Sequence, residues 1–226
     1  MISIKEIIFI TLFLFWAYSL TFASDIYFLD EFNYTNVSEM EKAGWYISNP
    51  NYIEFTNNTI ILKNDCSQTT WPRYSFPSHF FSPFFIAESK GRWIDGDFGS
   101  LHIIVSTEDG EYAWWGDGYS HTFILSFNGK TLFTQGGYFP AKSEWYNFKL
   151  IRKGEELLGY FNDSLVFTLR FSKNDRIEGI GINSAWCSKT EYDNIFFYSG
   201  NYLEISSPLN KTYFTSKDFL SIPLNL

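Results

Sequence analysis

Residues 144–171 read EWYNFKLIRKGEELLGYFNDSLVFTLRF, and this stretch sets how the rest of the chain is understood. Tyr146, Phe148 and Leu150 recur at period two, with Asn147 and Lys149 between them. That alternation predicts a strand with one face in a core and the other in water. Lys153-Gly154 breaks the run, and Leu158 and Tyr160 resume it on the same face. Asn162-Asp163 breaks it again. Both residue types tolerate positive φ, so a tight hairpin turn is expected there. Leu165, Phe167, Leu169 and Phe171 then line one face of the return strand. Three amphipathic strands on short turns are not stable alone, so a second sheet must cover their apolar face. The stretch implies a sandwich. Its outward residues hold no convergent set of acids, bases or metal ligands.

Outward from this stretch the same grammar continues. Asn128-Gly129 between residues 122–127 and 130–135 is the strongest hairpin signal in the chain. Further strands are predicted at 25–32, 45–47, 52–55, 59–63, 83–90, 100–106, 111–115, 177–183 and 192–198. A short helix is expected over 36–42, with Ser38 and Glu41 at capping-box spacing and Gly44 as its stop. Residues 65–82, with Pro72 and Pro77, read as loop with one short strand around 74–76. About a dozen short strands and almost no helix predict an all-β, antiparallel jelly-roll sandwich.

Trp145-Tyr146, the alternating run, the Gly turn and the two following strands resemble the centre of concanavalin-A-like lectin and glucanase domains, the laminin-G-like group included. EYDNIFFY at 191–198 is similar to their closing strand, and FLDEF at 28–32 to their opening strand. The resemblance covers 24–200 as one domain and implies a fold more than a function, because many activities sit on this scaffold. Residues 201–226 resemble the first strands of an immunoglobulin-like module, too short to bury a core alone.

Aromatic residues make up 21% of the 226 positions, a composition that favours strands and rich apolar packing. The formal net charge is −8 and no Lys/Arg cluster is present, which argues against nucleic acid and anionic membrane surfaces as partners. Residues 1–23 read as a targeting segment: Lys5, an apolar run over 7–22, and small residues before a cleavage point after Ala23. The alternative is an uncleaved anchor. In both cases the domain lies outside the cytoplasm. An even cysteine count in an exported chain predicts a Cys66–Cys187 disulfide, closing about 120 residues and contributing roughly 4–5 kcal/mol in the chain-entropy picture. Five sequons, at Asn33, Asn36, Asn57, Asn162 and Asn210, are candidate glycosylation sites.

The site chemistry is sparse. The glucanase side of the resemblance implies a Glu-x-Asp-x-x-Glu strand with paired carboxylates. The nearest match here, Glu191-Tyr192-Asp193-Asn194-Ile195-Phe196, lacks the last carboxylate and lies in the closing strand. Asp193 and Asn194 are therefore expected to satisfy donors at a sheet edge. His79, His102 and His121 are scattered, and a structural role is the default. The resemblance implies a structural calcium joining first and last strands, with Asp30 and Asp193 as the matching pair; a purely hydrogen-bonded role is the alternative. The aromatic and glycine-rich segments point to sugar. Trp93, Trp114, Trp115, Asp117 and Tyr119 are the candidate carbohydrate-binding residues, since an exposed ring meets a sugar's C–H face and a carboxylate accepts hydroxyls. Adjacent Trp114 and Trp115 must point to opposite faces, so only one is core. The expected function is a non-catalytic, extracellular carbohydrate-binding or adhesion module. A glycoside hydrolase with unrecognised carboxylates and a structural spacer are the alternatives.

Overall fold

The computed structural model describes residues 26–66, 70–96, 99–170, 176–184 and 187–200. The targeting segment, Asn210 and the immunoglobulin-like stretch at 201–226 lie outside the described residues.

Fifteen strands alternate with little else. They are β1 (Ile26–Asp30), β2 (Trp45–Ile47), β3 (Ile53–Thr56), β4 (Thr59–Lys63), β5 (Pro72–Phe81), β6 (Phe84–Gly96), β7 (Leu101–Thr107) and β8 (Gly110–Asp117). Then follow β9 (Thr122–Phe127), β10 (Lys130–Gly136), β11 (Trp145–Lys153), β12 (Glu156–Phe161), β13 (Ser164–Arg170), β14 (Arg176–Ser184) and β15 (Ser188–Ser199). One helix, α1 (Val37–Lys42), packs on β2. An eight-stranded sheet, sheet A, runs β13-β12-β11-β6-β15-β4-β3, with β1 also paired to β15. A seven-stranded sheet, sheet B, runs β10-β9-β8-β7-β14-β5-β2. Among the described residues every strand pairing is antiparallel, and the two sheets enclose one apolar core.

The deciding stretch folds as β11, β12 and β13. Tyr146, Phe148 and Leu150 face the core as the pattern predicts. Asn162 and Asp163 both take positive φ (46° and 62°), the backbone of a tight hairpin. The phase of β12 differs from the prediction. Leu157 and Phe161 face the core, while Leu158 and Tyr160 lie on the outer face. Gly159 explains this. The ring of Phe167 occupies the space a Cβ there would fill, so the side-chain-free position marks the inward phase. A bulge at Val166 then leaves Leu165 52% exposed while Phe167 and Leu169 stay inward.

Three other expectations change. Asn36, not Ser38, caps α1: its Oδ1 accepts from the Glu39 N–H at 3.0 Å, and Glu39 returns a carboxylate to Thr35. Residues 72–81, read as mostly loop, form a ten-residue strand. Pro72 opens it, and Pro77 sits where pairing with β14 is interrupted between Ser75 and Phe80, so neither proline costs a ladder bond. The closing strand β15 is interior to sheet A, between β6 and β4, and does not form its edge.

Trp114 is the core member of the Trp114-Trp115 pair and is 0% exposed. It meets Phe167 at 4.9 Å and Phe123 and Phe148 at 5.7 Å between ring centroids. Its indole N–H donates across the sandwich to the Tyr160 carbonyl at 3.1 Å. Cys66 and Cys187 are bonded, with Cα atoms 4.5 Å apart, and tie the β4–β5 loop to the β14–β15 turn. Trp114→Ala is expected to cost about 3–5 kcal/mol of folding free energy through lost burial and a cavity. Trp115→Ala should cost far less. Urea unfolding of the two variants checks this, and equal losses would contradict the packing.

Candidate functional site

The loops at one end of the sandwich gather the polar-flanked aromatics. β6 ends there at Asp95 and Gly96, β8 ends at Asp117, and β11 begins at Trp145. Trp93 donates its indole N–H to the Asp95 carbonyl at 2.8 Å, and Lys142 stands over its ring at 5.4 Å. Gly99 packs against Trp93 and Pro140, and Gly118 packs against Gly99. This chain of contacts joins Trp93 to the 117–120 turn. Asp117 holds that turn, accepting from the Tyr119 N–H at 3.0 Å and the Ser120 hydroxyl at 2.6 Å. Tyr119 is then 73% exposed and Phe139 71% exposed, with His121 stacked on Phe139 at 4.7 Å. Phe139 has no period-two signal in its Gly/Pro-rich segment, so periodicity alone passed it over.

The outer face of sheet B continues from this end. On β8 the outward side chains are Glu111, Ala113, Trp115 and Asp117. Cross-strand pairing sets Asn183, His102, Trp115 and Ile124 in one row. His102 and Trp115 stack with centroids 5.2 Å apart and planes 14° apart. The next row is Tyr46, Arg73, Gly181, Ile104, Ala113 and Ser126. Arg73 lies over Gly181 and makes a fork to Glu111, Nε to Oε1 at 3.0 Å and Nη2 to Oε2 at 3.3 Å. Trp71, leading into β5, is 43% exposed and Tyr46 63% exposed. The result is an open face with small residues in its middle, rings at both flanks, and its one Arg–Glu pair internally neutralised. Trp71 and Tyr46 are not among the predicted site residues: residues 65–82 read as loop, and Tyr46 as the middle of a three-residue strand.

Of the predicted sugar-binding residues, Trp93, Asp117 and Tyr119 therefore come together at the loop end, and Trp115 adjoins them on sheet B. Trp114 does not belong with them. Buried between the sheets, it has no ring face to offer.

The outward carboxylates of β8 and β15 differ in spacing and in surroundings. Glu111 and Asp117 are six residues apart on one strand, roughly 20 Å at the extended rise, against the roughly 5–10 Å that a glycosidase pair needs. The partial motif on β15 projects from the outer face of sheet A, and each acid meets a cation. Glu191 takes Arg92 Nε at 2.8 Å, Arg92 Nη2 at 2.7 Å and the Thr59 hydroxyl at 2.7 Å. Asp193, at a bulge, takes Lys90 at 2.6 Å. Arg92 and Lys90 also stand over the Trp145 ring, at 4.6 and 5.1 Å.

A calcium ion between Asp30 and Asp193 does not fit these side chains. Asp30 accepts from the Phe32 N–H at 2.7 Å, the Tyr34 hydroxyl at 2.5 Å and the Trp45 indole at 2.7 Å, all on the core side. Asp193 is committed to Lys90 on the opposite face. Among the described residues no group of three or more His, Cys, Asp or Glu side chains could hold a metal ion. An open depression of about 430 Å³ beside β1 is lined by Phe28, Asp30, Tyr34 and Tyr74 among others, and its acid is the same donor-saturated Asp30.

No family model matches this sequence. No curated protein matches it either. Solved structures do match in fold. The carbohydrate-binding module CBM66 from Bacillus subtilis is 18% identical with a TM-score of 0.56, covering 69% of this chain and 96% of that one. The endo-β-1,3-glucanase from Pyrococcus furiosus is 11% identical with a TM-score of 0.60, covering 78% and 94%. The β-glucanase from Bacillus licheniformis is 12% identical with a TM-score of 0.57, covering 77% and 98%. At these identities the likeness establishes the fold: a two-sheet jelly-roll β-sandwich of the concanavalin-A-like kind.

His102 supplies a test of the sheet B face. Burial, with the Arg73 charge second, pushes its imidazole down to about 3. In the unfolded chain it titrates near 6.5. Between those values the unfolded state binds a proton that the folded state does not, so stability rises with pH across the window and is complete above it. Acidifying from pH 7 to pH 5 should therefore destabilise the protein, by up to about 1.4 kcal/mol per pH unit below 6.5 from this group. His102→Asn should flatten that part of the pH profile of urea unfolding. A variant profile as steep as the parent's would refute the assignment.

Proposed function

We propose that this domain is an extracellular, non-catalytic carbohydrate-binding module whose ligand lies along the outer face of sheet B and against the adjoining loop end. The observation that carries the reading is the run of ring faces from Trp71 and Tyr46 across Asn183 and His102 to Trp115, continued by Tyr119 and Phe139. Rings supply apolar platforms for sugar C–H faces, while Asn183, Asp117 and the Arg73–Glu111 pair supply hydroxyl partners between them. Neutral His102 and the closed Arg73–Glu111 fork add no net charge, so Asp117 is the outward acid of β8 available to a sugar hydroxyl. The disulfide accords with a domain that works outside the cytoplasm. Binding modules and glucanases both appear among the fold's matches, and the wide separation of Glu111 from Asp117 favours binding over hydrolysis. Further domains after residue 200 would make it one module of a surface protein.

A glycan-array screen of the purified chain tests the reading, followed by titration of the variants Trp71→Ala, Trp115→Ala and Tyr119→Ala against the retained glycan. Each truncation is expected to weaken binding at least about tenfold, the loss of one ring-stacking contact worth roughly 1.4 kcal/mol, with the melting temperature nearly unchanged. An array without hits, or variants that bind like the parent, would leave the spacer reading in its place. New reducing ends on incubation with β-1,3-glucan would place the protein among the hydrolases.

A further inference from the structure

The four sequons on described residues are distributed unevenly over the fold. Asn33 and Asn36 lie between β1 and α1, Asn57 in the β3–β4 turn, and Asn162 in the β12–β13 turn. All four are exposed. The first pair lies between β1 of sheet A and α1, which packs on β2 at the edge of sheet B, and the other two turns join sheet A strands, the Asn162 turn beside Asn147 near the start of β11. The hairpins of sheet B, β7–β8, β8–β9 and β9–β10, carry none.

The local chemistry suits attachment. N-glycosylation replaces one hydrogen on the amide nitrogen and keeps the amide carbonyl. At Asn162 the carbonyl does the structural work, accepting from the Asn147 N–H at 2.9 Å. At Asn36 the carbonyl caps α1 through the Glu39 N–H at 3.0 Å, and the amide donates only to the exposed Thr35 hydroxyl. A glycan on either nitrogen leaves the turn and the cap intact.

We propose that this chain carries N-linked glycans at Asn57, Asn162 and the Asn33/Asn36 segment, and that the β7–β8, β8–β9 and β9–β10 hairpins of sheet B stay bare. This rests on the extracellular reading above. The amide nitrogen attacks the anomeric carbon of an oligosaccharide carried on a lipid pyrophosphate. The new N–C bond forms, the C–O bond to pyrophosphate breaks, the amide gives up one proton, and the lipid pyrophosphate leaves.

The full chain is expressed in an insect or mammalian secretory host, recovered from the medium, and treated with a peptide N-glycanase in heavy-oxygen water. Peptide mass spectrometry is expected to find the Asn-to-Asp mass shift at Asn57, Asn162 and at least one of Asn33 and Asn36. Ser164→Ala, which leaves Asn162 in place, should abolish the shift at Asn162 alone. Hydroxyl-radical footprinting before and after glycan removal reads the placement. Leu165, beside the Asn162 turn, should gain reactivity on removal, while Lys130 in the β9–β10 hairpin should not change. A secreted chain with all four asparagines unmodified overturns this inference and leaves the extracellular reading standing. A chain that never reaches the medium overturns both. A gain at Lys130 equal to that at Leu165 overturns the placement.

Discussion

Burial of Trp114 between the two sheets is the constraint on which the rest depends. A β-sandwich has no side chain that belongs to both sheets, so its sheets are held by rings that reach across. Trp114 rises from β8 in sheet B and meets Phe148 on β11 and Phe167 on β13 in sheet A. Its N–H closes on the Tyr160 carbonyl, so the largest core side chain carries no unsatisfied donor. The same contact sets the phase of both sheets. With Trp114 inward, Glu111, Ala113, Trp115 and Asp117 must face out. With Phe167 pressed on Gly159, Leu158 and Tyr160 must face out as well.

That phase gives the molecule two unlike outer faces. On sheet A, outward acids and bases sit on neighbouring strands and neutralise each other: Arg92 with Glu191, Lys90 with Asp193, Lys149 with Glu88. Burial pushes the Glu88 carboxyl up, and Lys149 pulls it back. Such pairs fix a surface more than they stabilise it. On sheet B, Gly181, Ala113 and Ser126 leave the middle low, and the rings stand at its flanks and at the loop end. The open strip between aromatic flanks is the surface proposed for the ligand, while on sheet A these outward acids and bases are matched to one another.

Much of this was legible in one dimension. Period-two runs located most strands, because a strand's inward and outward positions follow from backbone geometry alone. Asn128-Gly129 and Asn162-Asp163 located two hairpins, because positive φ is a local demand on residue type. The cysteine pair was legible from its count. β12 was not: Leu157, Leu158, Gly159, Tyr160 and Phe161 alternate plausibly in either phase, and a ring from the neighbouring strand chose between them. β5 was hidden by prolines that only its partners make tolerable.

The sequence by itself therefore determined the class of fold, most of its turns, its disulfide, and the fact that one of two adjacent tryptophans must be core. Only the tertiary structure decided which one, and that Trp93, Asp117, Tyr119 and Phe139 share one end while Trp115, Trp71 and Tyr46 lie on the adjoining outer face of sheet B. It also decided that Asp30 and Asp193 serve separate hydrogen-bond and ion-pair networks. The reason is range. Strand, turn and capping preferences act over a few residues. The site is assembled by cross-strand register between segments as far apart as Tyr46 and Asn183, and nothing in a local pattern records which strand will lie beside which.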